Sequence, residues 1–453
     1  MEVHVKTLVT ALAPIALAAC AATQPAVTRA PAPAAAEQGP ERAAAGAVET
    51  RAGTPPAAPR AFAPVGPAYA APPGGSSLPP PYLPGARQFL IQPGQVWQHL
   101  VADIRPGDEV VLAAGFHSGQ LITGLRGTAE RPVIIRSRDP VPAALAASGP
   151  GFVLRDPQFV IIEHVLFLNP ERAALTIEGS RPDWPAGVLV RGCSVQGSRA
   201  AQGQDAIRMA SVTDVTLDTI RIEEWADCAV EADSASRVIV SALTTVGNGP
   251  HSRGTAVRVR GRSTDIRIER CAFNDVSGAA VEIGMEPDSP EATEGTPSNV
   301  VIERCIFTAP GSALRVHAAS GVLLAHATVS EPRRAIYELP GSGPIAKVRI
   351  ADCLTSWTPG TLARFCTHGV GVKESAVTLG HNLWWSRELP DAFPAIGRPF
   401  GTAQGTQVFT ADPDLDPATF QPRNKHVTAF GALAPAPAGV PAPPSAAPPV
   451  PQP

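Results

Sequence analysis

A short phrase of alternating apolar and polar residues recurs along the middle of the chain. It reads GVLVRGCSV at Gly187 to Val195, DVTLDTIRI at Asp214 to Ile222 and RVIVSALTTV at Arg237 to Val246. It returns as DIRIERCAF at Asp265 to Phe273, NVVIERCIF at Asn299 to Phe307, GVLLAHATV at Gly321 to Val329 and KVRIADCLT at Lys347 to Thr355. A second phrase, A-[LIV]-x-[IVM], follows the copies. Alternation with a period of two predicts strands, not helices. The copies return every roughly 22 to 34 residues, the range of stacked structural repeats. No copy can bury its apolar face alone, so the copies must stack around one linear core.

The repeat register also explains the cysteines. Cys193, Cys271, Cys305 and Cys353 share one repeat position, which other copies fill with Ile220, Leu243 and Ala327. A position that accepts Cys, Ile, Leu or Ala faces the core, where a free thiol behaves as a small hydrophobe. A column of buried thiols is therefore predicted in place of disulfides, whose geometry an in-register stack does not supply. There is no C-x-x-C pair to hold zinc.

Composition bounds the rest. The chain has 453 residues, 40 Gly, 50 Pro and a formal net charge of −3. Near-neutral charge argues against a nucleic-acid partner. Proline crowds both ends and is sparse within the repeats. Residues 21–86 and 432–453 read as disordered Pro/Ala-rich segments, and 87–431 as one solenoid domain. Residues 1–20 read as a signal peptide: Lys6, then an apolar run too short to span a membrane, then Leu17-Ala18-Ala19-Cys20. That tetrapeptide resembles the lipobox of bacterial lipoproteins. The resemblance implies acylation of Cys20, a lipid anchor in the cell envelope and, with Ala21 following, sorting to the outer membrane. Residues 21–86 would then be a tether.

From about residue 87 to 431 the chain resembles the right-handed parallel β-helix, pectin-lyase-like superfamily. The opening carries the closest likeness. Val96-Trp97-Gln98-His99-Leu100, Arg105-Pro106-Gly107-Asp108-Glu109-Val110-Val111-Leu112 and Ala114-Gly115-Phe116-His117 are similar to the first coil of chondroitinase-B-like and alginate-lyase-like proteins, in which an amphipathic helix caps the open end. Gly127-Thr128 and Arg131 to Ile135 continue the pattern, and Asp412 to Gly431 resembles its close. The expected fold is all-β: a right-handed single-stranded parallel β-helix with capped ends and disordered termini.

Function must sit on the outward positions. The outward x of the second phrase reads Thr176, Arg208, Glu231, Arg258, Glu282, Arg315 and Tyr337, with Arg364 the next candidate. Two residues further on lie Glu178, Asp233, Arg260 and His317. Charge alternates from coil to coil. One reading is a solvated ladder that contributes little per exposed pair and keeps the sheet soluble and monomeric. The other is a groove for an anionic polysaccharide, gripped by arginines in fork geometry. Arg208, Glu231, Glu282 and Arg315 are the candidate binding residues. Arg258, Arg260, His317 and His251, the last on the Asn248–Arg253 loop, are the candidate catalytic ones. A loop histidine can equally be incidental.

The acidic run from Met285 to Ser298 could hold Ca²⁺, which lyases of the resembled family use; its Pro, Ser and Thr content equally suits a mobile surface loop. A lyase needs a base for the uronate C5 proton, typically lysine. After Lys6 the lysines are Lys347, Lys373 and Lys425, none on the charged sheet, and the lyase signature is missing. Three functions stay open: a lipid-anchored envelope protein that binds a polysaccharide, a polysaccharide lyase or epimerase, and a structural envelope protein.

Overall fold

The computed structural model describes residues 82–138, 142–146, 151–168, 173–197, 205–247, 254–285, 295–341, 343–358, 366–369, 371–386, 407–408, 412–416, 419–428 and 430–432. The chain divides at Ala58/Pro59 into two units, and all the described residues lie in the second. The expected signal peptide with Cys20, most of the expected tether, residues 433–453, His251, Arg364 and most of the acidic run lie outside them.

Three parallel sheets of 12, 10 and 12 strands wind into a β-solenoid. Each complete coil contributes one strand to each sheet. In one coil these are Val212–Asp218, Arg221–Glu223 and Cys228–Asp233. Each pairs in register with its counterpart one coil on, Val215 with Val238, Ile222 with Thr245 and Val230 with Val257. Identical positions therefore form columns, and the inward ones build a single core along the stack.

The long phrase thus folds as two strands, not one. A residue in the left-handed region bends it just before the cysteine position: Gly192, Thr219, Ala242, Arg270, Arg304, His326 and Asp352, with φ between 49 and 58°. Single non-glycine residues tolerate this conformation at some cost, and stacking supports it. Each bend N–H donates to the carbonyl that precedes the next bend: Gly192 to Asp218 at 3.1 Å, Thr219 to Ser241 at 3.0 Å, Ala242 to Glu269 at 3.1 Å. Alternation does not reveal this corner, because most of its residues are ordinary ones.

The thiol column is present. Cys193, Cys271, Cys305 and Cys353 are free and buried. Each Sγ donates to the carbonyl two residues back, Cys305 to Glu303 at 3.3 Å and Cys353 to Ala351 at 3.2 Å. In the last coil Asn382 takes over the position. Its Oδ1 accepts from the Cys353 N–H at 3.0 Å, and its Nδ2 donates to the Ile350 carbonyl at 2.9 Å.

The ends are covered. The resemblance implied an amphipathic capping helix; the structure has a short 3₁₀ turn, Gln98–Ala102, with Leu100, Val101 and Ile104 packed on the core. At the other end Leu415 bridges Pro422, and Val427 and Phe430 pack with Leu354, Leu383 and Trp385 in a small separate core. Among the described residues no helix is long and apolar enough to cross a membrane.

Candidate functional site: a buried charge ladder on one sheet

The ten-stranded sheet carries the second phrase. Its register lines up Thr176, Arg208, Glu231, Arg258, Glu282 and Arg315 on successive strands. The next member is Glu338, not Tyr337: Arg315 pairs with Glu338 and Leu314 with Tyr337. The outward position here lies one residue further from Ala335 than in the other coils, because the large Tyr337 ring turns inward. It packs edge-on against Trp384, with ring centroids 6.1 Å apart. The correction extends the alternation of charge by one coil. A neighbouring column pairs Asp233 with Arg260, and Arg155 with Glu178 further back.

The ladder is not solvated. Glu231, Asp233, Arg258, Arg260, Glu282, His317 and Glu338 are all buried. Strands about 4.8 Å apart let long side chains lie across one another, so each covers the next. Arg258 donates bidentately to Asp227, at 2.8 and 3.1 Å, and to Glu282 Oε2 at 3.2 Å. Arg260 Nη2 lies 2.7 Å from Glu231 Oε1 and 3.3 Å from Asp233 Oδ2. Arg315 bridges Glu282 at 3.2 Å and Glu338 at 2.6 Å. His317 Nε2 contacts Glu282 Oε1 at 2.9 Å, and Thr255 Oγ1 donates to Glu282 Oε2 at 2.9 Å.

Exposure varies along this face. The Arg208 side chain is 41% exposed and lies 3.5 Å from both Glu231 and Asp233. Arg315 is 21% exposed. These two remain accessible, whereas Arg258 and Arg260 are covered and held by carboxylates. The eight proposed site residues thus divide. Arg208, Glu231, Arg258, Glu282, Arg315, Arg260 and His317 share one network, and His251 lies outside the described residues. Lys347 belongs to a different sheet, in strand Ile345–Ala351.

The electrostatics split the carboxyls. Burial alone would raise Glu282, but the His317 hydrogen bond and the Arg258 and Arg315 guanidiniums hold it well below the usual carboxylate range. Glu338 is likewise held low against burial by Arg315 and Arg334. Burial outweighs the arginines at Glu231, which is raised. Asp205 is pushed up to about 8 by burial and by the nearby Glu231 and Asp227.

Asp205, Asp227, Cys228 and Thr255 were not singled out from the sequence. The signal was there: Asp205, Cys228 and Thr255 each sit directly before the alanine of the second phrase, and they pair in register. The ladder skips that alanine, so the residue before it joins the charged face. Among the described residues no group of three or more His, Cys, Asp or Glu could hold a metal ion.

No curated protein matches the chain in sequence. Among solved structures, a mannuronic acid specific polysaccharide family 6 lyase from human gut microbiota is similar at 13% identity. That match covers 66% of this chain and 80% of the other, with a TM-score of 0.41. A pectate lyase is similar at 13% identity, with the same coverage and a TM-score of 0.37. A surface protein and adhesin of Streptococcus pneumoniae is similar at 11% identity, covering 62% of this chain and 77% of the other, with a TM-score of 0.40. Residues 151–331 match the family described as right handed beta helix region, and over those coils the solenoid is a right-handed parallel β-helix.

Proposed function

We propose that this protein is a lipid-anchored component of a bacterial cell envelope that binds a polysaccharide along its charged ten-stranded sheet. The observation that carries the reading is the buried ladder with accessible arginines at its surface. Burying ion pairs is a poor source of stability, since apolar replacements are often neutral or better. A fold that holds Arg258, Arg260, Glu231 and Glu282 out of water gains little from them as structure alone. What the ladder does supply is a charged floor: Arg208 lies 3.5 Å from Glu231 and Asp233, Arg315 is held by Glu282 and Glu338, and both stay accessible above the buried pairs. Preorganised guanidiniums suit the hydroxyls and carboxylates of a sugar chain. Anchoring rests on the Leu17-Ala18-Ala19-Cys20 lipobox.

Turnover is the weaker reading. A clamp for a substrate carboxylate must be free to receive it, and Arg258 and Arg260 are covered and already engaged. The test is to incubate the purified domain with alginate, pectin, chondroitin and peptidoglycan fragments, measuring binding alongside absorbance of unsaturated products. Binding without product supports the proposal; product with any of them moves the protein to the lyases; no binding to any of them contradicts it.

A further inference from the structure

Asp205 stands apart from the other acids of the charged sheet. Asp227, Glu231, Asp233, Glu282 and Glu338 each have a guanidinium at 3.3 Å or closer. Asp205 has no such partner among the described residues. It is 7% exposed, and its Oδ1 is buried without a hydrogen bond among them. The charged and titratable groups around it are Glu231, Asp227, Arg258, Arg208 and Cys228. Two of these are carboxylates that repel a negative Asp205. Arg258 is taken by Asp227 and Glu282, and the charged groups nearest Arg208 are Glu231 and Asp233, each at 3.5 Å. A buried carboxyl without a cation is stabilised by keeping its proton. As an acid it is a donor, whereas as a carboxylate it only accepts.

We propose that Asp205 is held as a neutral carboxylic acid and donates a hydrogen bond to a carboxylate-bearing sugar unit gripped by Arg208, so that the site selects acidic glycans and releases them when Asp205 ionises. The proposal rests on the glycan-binding reading of this sheet. Arg208 and Asp227, 41% and 28% exposed, form the accessible rim of the cluster. Asp205 lies beneath that rim on the same strand as Arg208, Asp205–Ala210, so with Asp205 neutral a cation and a donor lie side by side, which match a uronate. With Asp205 ionised, a further negative charge faces the incoming carboxylate. Burial and the neighbouring carboxylates push the group up to about 8, so the change falls just above neutral pH.

The experiment is a binding titration of alginate and polygalacturonate, with neutral dextran as control, from about pH 6 to pH 9.5, on the wild type and on Asp205→Asn. The amide keeps N–H donors and cannot ionise. Wild-type affinity for the polyuronates should fall about tenfold per pH unit above the ionisation point, because apparent affinity follows the competent fraction. Asp205→Asn should bind with no such fall. An infrared carbonyl band of a protonated carboxylic acid should be present in the wild type at neutral pH and vanish along the same curve; this tests the proposal even if the variant does not fold. Wild-type binding that ignores pH, or a wild type without the acid band, would overturn the proposal and leave glycan binding standing. Failure of both proteins to bind any polyuronate at any pH would overturn the glycan reading and this proposal with it.

Discussion

Arg260 and Glu231 lie on adjacent strands with Nη2 and Oε1 2.7 Å apart, their side chains 6% and 1% exposed. A pair this buried is strongly coupled to its neighbours, because neither charge has water to fall back on.

Removing one partner should therefore be costly. Glu231→Ala takes from Arg260 its nearest carboxylate and weakens the support of Arg258 and Arg208. It should lower stability by about 3–5 kcal/mol, the cost of stranding a buried charge. Replacing Glu231 and Arg260 together by apolar residues should recover much of that loss. Denaturant midpoints of the single and double variants measure the difference.

The thiol column should be chemically silent. Burial pushes Cys193 and Cys353 up to about 12, so almost no thiolate exists at neutral pH, and the thiolate is the reactive form. The folded protein should resist alkylation at Cys193, Cys271, Cys305 and Cys353. All four should react after denaturation without a reductant. Cys271→Ala should cost about 1–3 kcal/mol, on the scale of a small core cavity.

Stability should depend on pH from both sides. Glu282 and Glu338 are depressed in the folded state, so their contribution is present above the ordinary carboxylate value of 4.5 and is lost as pH falls below it. Asp205 and Glu231 are raised, so their contribution is full only below the unfolded values. It declines as pH rises, for Asp205 up to about 8. Stability should thus peak in mildly acidic solution. Asp205→Asn should make the alkaline side shallower, leaving only the Glu231 part, and keep the acid side in place. Melting curves from about pH 3 to pH 9 of both proteins check the sign.

The first coils carry a clasp. The Arg136 guanidinium lies over the Tyr82 ring, 4.6 Å from the ring centroid, and the Tyr82 N–H donates to Glu109. Arg136 in turn donates to Glu109 at 2.8 Å. Tyr82→Ala should remove about 1–2 kcal/mol of desolvated cation–π attraction. It should also raise amide exchange in Gln88–Ile91 and Glu109–Leu112 without touching the charged sheet.

How much of this could be read in advance follows from what repeats. The columns of Val, Ile and Cys repeat at fixed places in each phrase, so the stack and the buried thiols were legible. The corner before the cysteine position was not, because Thr219, Ala242 and Arg270 look like strand residues and bend only through the stacked N–H ladder. The charge alternation was legible from Arg208 to Arg315. It failed at Tyr337, where the inward turn of an aromatic ring moved the outward position on by one. Burial of the ladder was not legible, since it depends on side chains lying across neighbouring strands. Asp205 was hidden for a related reason: the register skips Ala206, and strict alternation puts its neighbour on the wrong face.

The claim that the charged sheet is a polysaccharide surface is tested most directly at its accessible arginines. Arg208→Ala with Arg315→Ala leaves Glu231 and Asp233 with Arg260, Glu282 with Arg258 and His317, and Glu338 with Arg334, so the fold should survive. Calorimetric titration with the acidic glycan that binds the wild type should show affinity reduced at least tenfold in the double variant, about 1.4 kcal/mol. Wild-type affinity should itself weaken with added salt. A folded double variant that binds as tightly as the wild type would contradict the account and leave the ladder as structure alone.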